Sequence, residues 1–145
     1  MGDVRNIANS GGKWIRPEKR LAIYLRDKLT CSWCNSKLSE HDATLDHLRP
    51  QKSGVDNSPR NLVTSCRKCN SARGSRGIRE FAEAVANYVD NGETTETVLM
   101  RIRRRRRRNI SIAWARSLIL LNRTLGEIFL SRSRGLKKCS HLKIG

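Results

Sequence analysis

ATLDHLRPQKSGVDNSPRNLVTSCRKCN, residues 43–70, places an Asp-His pair inside a short apolar run and ends in a CxxC motif. The first part, residues 43–48, is rich in Thr and Leu and predicts a β-strand. That strand must end before Pro50, because proline cannot donate a ladder hydrogen bond. Asp46 and His47 are therefore expected at the end of a strand.

The rest of the stretch predicts a return strand and a helix. Residues 51–59 are full of Gly, Asn, Ser and Pro, which is typical of a loop. Residues 61–65 (NLVTS) predict a second strand leading to Cys66, and Asn70 has the polar character of a helix start. The predicted order is strand, loop, strand, helix, and the predicted fold class is α+β.

Four of the five cysteines form two CxxC pairs, which we name the first knuckle (Cys31–Cys34) and the second knuckle (Cys66–Cys69). Two such turns supply the four thiolates of a tetrahedral zinc site. Disulfides conflict with a reducing cytosol, and a redox CxxC needs only one pair. An iron-sulfur centre remains a chemical alternative. We expect Cys139 to be a free thiol, and His41 is not needed as a ligand.

The composition fits one small domain that needs help to stay folded. The chain has 145 residues, of which 37% are hydrophobic and 5% aromatic. A core of that kind is modest, and a bound metal is one way to staple it. The predicted zinc site supplies such a staple.

The charge is strongly positive and unevenly spread. Thirty Lys and Arg against 13 Asp and Glu give a net charge of +17, and residues 99–145 hold 14 basic residues with one acid, Glu127. Such a chain needs a polyanion partner, either nucleic acid or an anionic membrane surface.

One run, RIRRRRRR, concentrates the arginines. No helix face can segregate so many charges, so the run is expected to be either solvated or a DNA-backbone-binding strip, and not part of the core. We favour DNA binding. The candidate nucleic-acid-binding residues here are Arg101, Arg103, Arg104, Arg105, Arg106, Arg107 and Arg108.

A membrane role is not expected. The longest apolar stretch, residues 110–121, is short for a span and contains Arg116. The chain does not open with a charged segment followed by an apolar one, so we expect no secretory signal and a cytoplasmic, DNA-associated protein.

Four polar residues between and beside the knuckles stand out: Asp46, His47, Asn61 and Asn70. Taken singly, each can be a strand-edge, turn or cap residue. Taken together, they offer the groups that cut a phosphodiester bond with water. An imidazole can activate water, and a carboxylate with an amide oxygen can hold Mg²⁺. Adjacent strand residues point to opposite faces, so how Asp46 and His47 share one site is an open question.

The motifs CSWC, DHLRP, NL, CRKCN and ARG, in this order, resemble those of HNH endonucleases. The resemblance implies a small ββα-metal (HNH) finger stapled by a four-cysteine zinc site, flanked by helices, with a basic helical C-terminal extension. His47 would be the general base, oriented by Asn61. Asp46 and Asn70 would hold Mg²⁺ or another catalytic divalent ion. Because Asn70 stands where many members have histidine, the preferred metal stays open.

The structural zinc would bind, by the same resemblance, to Cys31, Cys34, Cys66 and Cys69. Arg73 lies three residues after Asn70 on the same helix face, so it is expected either to contact a phosphate or to be exposed.

The sequence accordingly divides into four parts. We expect a flexible N-terminus (1–14), an HNH nuclease domain (15–77), a helical basic extension (78–131) and a disordered basic tail (132–145). Helices are predicted at 17–29 and 78–89. The apolar residues between 110 and 130 are expected to pack on the body of the protein or, as the alternative, on a second copy.

The predicted function is metal-dependent hydrolysis of DNA phosphodiester bonds, with double-stranded DNA as partner. A symmetric double-strand cut would require a homodimer. Family habit points to a phage or mobile-element source. The alternatives are a non-catalytic zinc-ribbon nucleic-acid-binding protein and a basic RNA-associated protein.

Overall fold

A computed structural model of the chain describes residues 2–9, 14–49, 56–88 and 92–132. Within these residues the elements are α1 (Val4–Asn9), α2 (Pro17–Arg26), β1 (Ala43–His47), β2 (Leu62–Cys66), α3 (Arg67–Arg73), α4 (Ile78–Tyr88), α5 (Thr95–Arg107), α6 (Ile112–Leu120) and α7 (Leu125–Arg132). The mixed fold, with one small sheet surrounded by helices, confirms the predicted class.

The sheet consists of β1 and β2, which pair antiparallel. Both strands lie within one residue of their predicted positions, because their Thr, Val and Leu content and the flanking turn residues act locally. A two-stranded sheet is marginal on its own. Its two faces are accordingly covered by separate hydrophobic clusters.

The first cluster joins one sheet face to α1, α2, α6 and α7, and includes Leu45 and Leu62. The second cluster joins the other face to the two knuckles, α4 and α5, and includes Val63 and Trp33. The sheet therefore separates a helical layer from the half of the molecule that holds the cysteines.

The N-terminus corrects one expectation. Residues 4–9, expected to be flexible, form α1. Val4, Ile7 and Ala8 are buried in the first cluster, and the Val4 amide donates to the Arg123 carbonyl at 3.2 Å. The i, i+3, i+4 spacing of these three apolar residues is the helical signal that a six-residue element gives only faintly.

Two other helices begin or end away from their predicted positions. Helix α3 begins at Arg67 and not at Asn70, because the Cys66 sulfur accepts the Cys69 amide at 3.3 Å and so caps the helix. Helix α2 ends at Arg26, since Lys28 and Leu29 both adopt positive φ. Helix α4 agrees with its prediction to one residue.

The basic extension is better ordered than the arginine run suggests. Helix α5 contains most of that run, yet Val98, Leu99 and Ile102 are buried in the second cluster, so the expectation that the run contributes nothing to the core is wrong. Helix α6 packs against α2, as expected for intramolecular packing. Of the tail predicted to be disordered, residues 133–145 lie outside the described residues. Among the described helices, none is long and apolar enough to span a bilayer.

A buried ion pair fixes α2 to the sheet. Arg26 Nε donates to Asp27 Oδ1 at 2.7 Å, and both side chains are almost fully buried. Asp27 Oδ2 also accepts the Thr64 amide at 2.9 Å, and Arg26 donates to the Leu62 carbonyl at 2.7 Å. Each charge is therefore satisfied on the sheet as well as by its partner.

We predict that Asp27→Asn lowers the free energy of unfolding by about 3–5 kcal/mol, because a buried guanidinium loses its carboxylate. Glu96→Gln, which removes an exposed ion pair with Arg79, should cost less than about 1 kcal/mol. Urea unfolding followed by circular dichroism measures both. Similar losses for the two variants would contradict the structural role of the Arg26–Asp27 pair.

Candidate functional site

The four cysteines of the two knuckles come together in one buried cluster. Their Sγ atoms all lie within 4.8 Å of one another. Zinc–sulfur bonds of about 2.3 Å would draw four sulfurs to similar separations. The knuckles also fold toward the cluster, since the Cys34 amide points at Cys31 Sγ (3.5 Å) and the Cys69 amide at Cys66 Sγ (3.3 Å). The donor set fits a tetrahedral metal ion.

The electrostatics of the cluster favour a cation. Burial opposes ionisation of Cys31, but hydrogen bonds from the other three thiols outweigh it and hold the pKa of Cys31 well below its usual range. The Cys31 and Cys34 sulfurs in turn raise the pKa of Cys66 and of Cys69. The protein alone therefore supports part of the cluster as thiolates. A bound cation would allow all four to ionise.

A network of hydrogen bonds joins the first knuckle to the end of β1. Trp33, fully buried between the two cysteines, donates its indole N–H to Asp46 Oδ2 at 2.9 Å. Arg73 Nη1 donates to both oxygens of the same carboxylate at 2.8 Å, and its guanidinium lies 5.1 Å from the Trp33 ring. Asp46, Trp33 and Arg73 thus form one buried unit.

The position of Arg73 excludes one of the two alternatives considered from the sequence, an exposed side chain. Its side chain is only 3% exposed, so it is not a surface residue. Besides Asp46, it donates to the carbonyls of His47 (2.7 Å), Leu48 (2.6 Å) and Arg76 (3.2 Å). The guanidinium therefore holds the end of β1, and a contact between Arg73 and a phosphate at the adjoining cleft stays a prediction.

The Asp46 carboxylate keeps some capacity to accept a further ligand. Oδ2 accepts from both Trp33 and Arg73, whereas Oδ1 accepts only from Arg73 among the described residues. A carboxylate has about four lone-pair sites, two on each oxygen. One site on Oδ1 thus remains, which is compatible with a hard divalent ion.

His47 lies on the opposite sheet face from Asp46. In the strand register Asp46 is opposite Val63, in the second cluster, whereas His47 is opposite Leu62, in the first. The His47 ring contacts Trp14 with ring centroids 4.9 Å apart, and its Nε2 lies 2.8 Å from Asn57 Oδ1. The strand is regular here, so no distortion brings the two side chains together.

Asn61 links the two ends of the loop between the strands. Its side chain accepts the Arg49 amide at 3.0 Å and donates to the Asp56 carbonyl at 2.9 Å. These residues flank the segment 50–55, which lies outside the described residues. Asn61 is 3% exposed, so its amide is a buried brace and not a surface group.

Asn70 lies in α3 beside the second knuckle. Its amide nitrogen donates to Thr44 Oγ1 at 3.0 Å and approaches the Leu45 carbonyl at 3.4 Å. Its Oδ1 accepts no hydrogen bond from the part of the chain that the structure describes. That oxygen is chemically suited to a divalent ion.

Asp46, His47, Asn70 and Arg73 line one open cleft of about 390 Å³, together with Leu45 and residues 74–76. The three residues predicted for catalysis and ion binding, Asp46, His47 and Asn70, therefore line a common cavity with Arg73, next to the loop that Asn61 braces. Asp46 and His47 belong to opposite sheet faces, yet both line this cleft.

The predicted arginine strip divides into two groups. Arg105 donates to the Thr30 carbonyl (2.8 Å) and to Ser32 Oγ (2.9 Å), and Arg101 donates to the Trp33 carbonyl (3.0 Å) and pairs with Glu93. These two hold the first knuckle. Arg106 is partly buried, and the exposed members of the run are Arg103, Arg104, Arg107 and Arg108.

Three residues of the site escaped the sequence analysis: Trp33, Asn57 and Trp14. The burial of Trp33 could have been predicted, because a tryptophan between the two cysteines of a CxxC pair is expected to be buried. A buried indole N–H then needs a hydrogen-bond acceptor. The loop residue Asn57 and the N-terminal Trp14 reach His47 only through the tertiary fold, and no local pattern marks them.

The chain is similar to known proteins over part of its length. Residues 31–76 match the family model for the HNH endonuclease, which confirms the resemblance and supports a nuclease-type function. Among solved structures, the chain is similar to the crystal structure of the Type II-C Cas9 enzyme from Actinomyces naeslundii, with 19% identity and a TM-score of 0.47. The similarity covers 88% of this chain but 12% of that one. None of the curated proteins matches the chain significantly.

We predict that Arg73→Lys lowers the free energy of unfolding by about 1–3 kcal/mol, because an ammonium group cannot satisfy Asp46 and three carbonyls at once. Arg76→Lys, at an exposed side chain, should change it by less than about 0.5 kcal/mol. Urea unfolding of the two variants tests this. If Arg73→Lys were as stable as the wild type, Arg73 would not be the structural residue described above.

Proposed function

We propose that this chain, whose residues 31–76 form an HNH domain, is a metal-dependent endonuclease that hydrolyses phosphodiester bonds in double-stranded DNA. The observation that carries the proposal is the cleft shared by Asp46, His47 and Asn70 beside the cysteine cluster. A base and two oxygen ligands at one open cavity are the groups such a hydrolysis needs. The net charge of +17 is consistent with a polyanionic substrate.

His47 is the proposed general base. Its Nε2 lies 2.8 Å from Asn57 Oδ1, and this contact orients the imidazole ring. In this role the imidazole takes a proton from water as the water oxygen attacks phosphorus. The bond to the 3′ oxygen breaks, leaving a 5′-phosphate and a 3′-hydroxyl once that oxygen gains a proton.

Asn61 is the proposed positioning residue for His47. By tying the Arg49 amide to the Asp56 carbonyl, it closes the loop that carries Asn57. The loop in turn fixes the imidazole through the Asn57 side chain. Asn61 therefore acts on the base indirectly.

Asp46 and Asn70 are the proposed ligands of the catalytic ion, Mg²⁺ or another divalent cation. Oδ1 of each side chain belongs to a donor set of hard oxygens that suits such an ion. When bound, the ion supplies positive charge that stabilises the phosphate and the departing oxygen. Trp33 and Arg73 hold the Asp46 carboxylate in place meanwhile.

A structural zinc ion is proposed for the four cysteines. Its role is to join the two knuckles, so that Trp33 and α3 present their partners to the end of β1. The zinc would thus support the site without taking part in the reaction.

The second candidate is a non-catalytic zinc-ribbon protein that binds nucleic acid. The observation in its favour is the Asp46–Arg73 ion pair, because a carboxylate already satisfied by a guanidinium can serve the fold alone. Both candidates share the zinc site and the basic charge, so cleavage is what distinguishes them.

We predict that the protein nicks or linearises plasmid DNA in the presence of Mg²⁺, and that His47→Ala lowers the rate by about 10²–10⁴-fold through loss of the base. His41→Ala is the matched control, because that side chain is 85% exposed and should leave the rate unchanged. Gel assays with each variant, checked for equal metal content, give the rates.

Two results would overturn the proposal. One is an intact plasmid with wild-type protein under Mg²⁺, Mn²⁺ and other divalent ions. The other is equal cleavage by wild type and His47→Ala. Either result would favour the non-catalytic candidate if DNA binding persisted.

We predict about one zinc ion per purified chain, with loss of zinc and of folded structure in Cys34→Ser. Cys139→Ser, outside the two knuckles, should keep both. Elemental analysis by mass spectrometry and circular dichroism are the measurements. Iron in place of zinc, or a folded Cys34→Ser protein without metal, would contradict the assignment.

A further inference from the structure

A second open cleft, of about 310 Å³, lies between the end of α2 and helix α5. Six basic residues line it against one acid, Asp27. Its lining residues are entirely different from those of the cleft that holds His47. The second cleft is therefore a separate, strongly positive cavity.

Half of these charges are engaged within the fold. Arg26 is paired with Asp27, which accounts for the single acid of the cleft. Arg101 is paired with Glu93. Arg105 contacts only neutral acceptors of the first knuckle, and among the described residues it forms no ion pair. Burial lowers the pKa of Arg105; the charge of Asp27 opposes this shift, and the nearby Arg101 and Arg26 add to it.

The other three charges, Lys28, Arg104 and Arg108, are exposed and form no ion pair within the described part of the chain. Arg104 and Arg108 are four residues apart, so they lie on one side of the α5 end. Lys28 faces them from a backbone with φ of 56°, followed by Leu29 with φ of 50°. Two successive non-glycine residues in the left-handed region cost free energy, and such strain is typical of functional sites.

Local contacts of Leu29 offset part of that backbone strain. The Leu29 amide donates to the Tyr24 carbonyl at 2.8 Å, and the Leu29 side chain is buried. These contacts hold the turn, and the exposed Lys28 is carried with it to the cleft. A bound anion would offset the mutual repulsion of the cations that line the cleft.

We propose that this cleft is a binding site for the phosphate backbone of DNA, in which Lys28, Arg104 and Arg108 contact successive phosphates. The open shape suits an extended polyanion that passes over it, and contacts to phosphates need no particular base sequence. The inference rests on the proposed function only in its choice of DNA as the polyanion. It assigns to the rest of the arginine run either a structural or a merely solvated role.

The test compares two double variants that remove the same charge from the same end of α5. Arg104→Gln/Arg108→Gln removes two exposed positive charges from the cleft. Arg103→Gln/Arg107→Gln is the matched control, since both of its side chains are exposed and neither lines the cleft. The probe is a fluorescent DNA duplex of about 20 base pairs, which offers several successive phosphates. Fluorescence anisotropy measures its binding at several KCl concentrations. Zinc is retained in the protein, and no magnesium is added.

The cleft variant should bind at least about tenfold more weakly, and its log–log salt slope should fall by about two, one for each lost phosphate contact. The control should stay within about threefold of wild type. Lys28→Gln alone should reduce the slope by about one. Equal losses in the two double variants would overturn the proposal, because they would mean a diffuse attraction to the whole run.

Two further measurements distinguish lost DNA binding from a folding defect and from attraction to lipid. Urea unfolding must give the same stability for both double variants, since a folding defect would otherwise imitate lost binding. Vesicles containing phosphatidylserine test the rival anionic surface, and a cleft-specific loss on vesicles without one on DNA would overturn the proposal. The assay is independent of cleavage: in a His47→Ala background the binding difference must persist even if the endonuclease activity proves absent.

Discussion

Four thiols buried within 4.8 Å of one another are the constraint on which the rest of the structure depends. They come from two knuckles separated by 31 residues, and both strands begin within that interval. A cation bound by the four sulfurs, as proposed above, would tie the two knuckles together in a chain whose two-stranded sheet is marginal on its own. The cysteine cluster itself belongs to the second hydrophobic cluster, which covers one face of the sheet.

A few buried hydrogen bonds connect the cysteine cluster to the cleft that holds His47. Trp33 extends from the first knuckle to Asp46, and Arg73 extends from the helix of the second knuckle to the same carboxylate. Both knuckles thus meet at one residue of β1. Such a network is strong only when every member is satisfied, and here the guanidinium has acceptors at Asp46 and at successive carbonyls.

The parts of the fold that depend on local sequence could be predicted. The strands, the cysteine cluster and the collection of Asp46, His47 and Asn70 at one cleft all follow from short patterns and their order. The burial of Arg73 could not be predicted, because its partner Asp46 lies 27 residues away in the sequence. Without that partner in view, an arginine is expected at the surface. The same holds for Arg105, whose acceptor at Thr30 is 75 residues distant. Long-range pairing of charged side chains leaves no periodic signal.

The hydrogen bonds from α5 to the first knuckle also indicate where the chain could be truncated. Carbonyl groups of Thr30, Ser32 and Trp33 receive their hydrogen bonds from Arg101 and Arg105. A fragment cut after residue 77, where the motif ends, would leave these carbonyls and the apolar residues around Ile102 uncovered. The helix that looks like an appendage in the sequence is part of the domain's own scaffold.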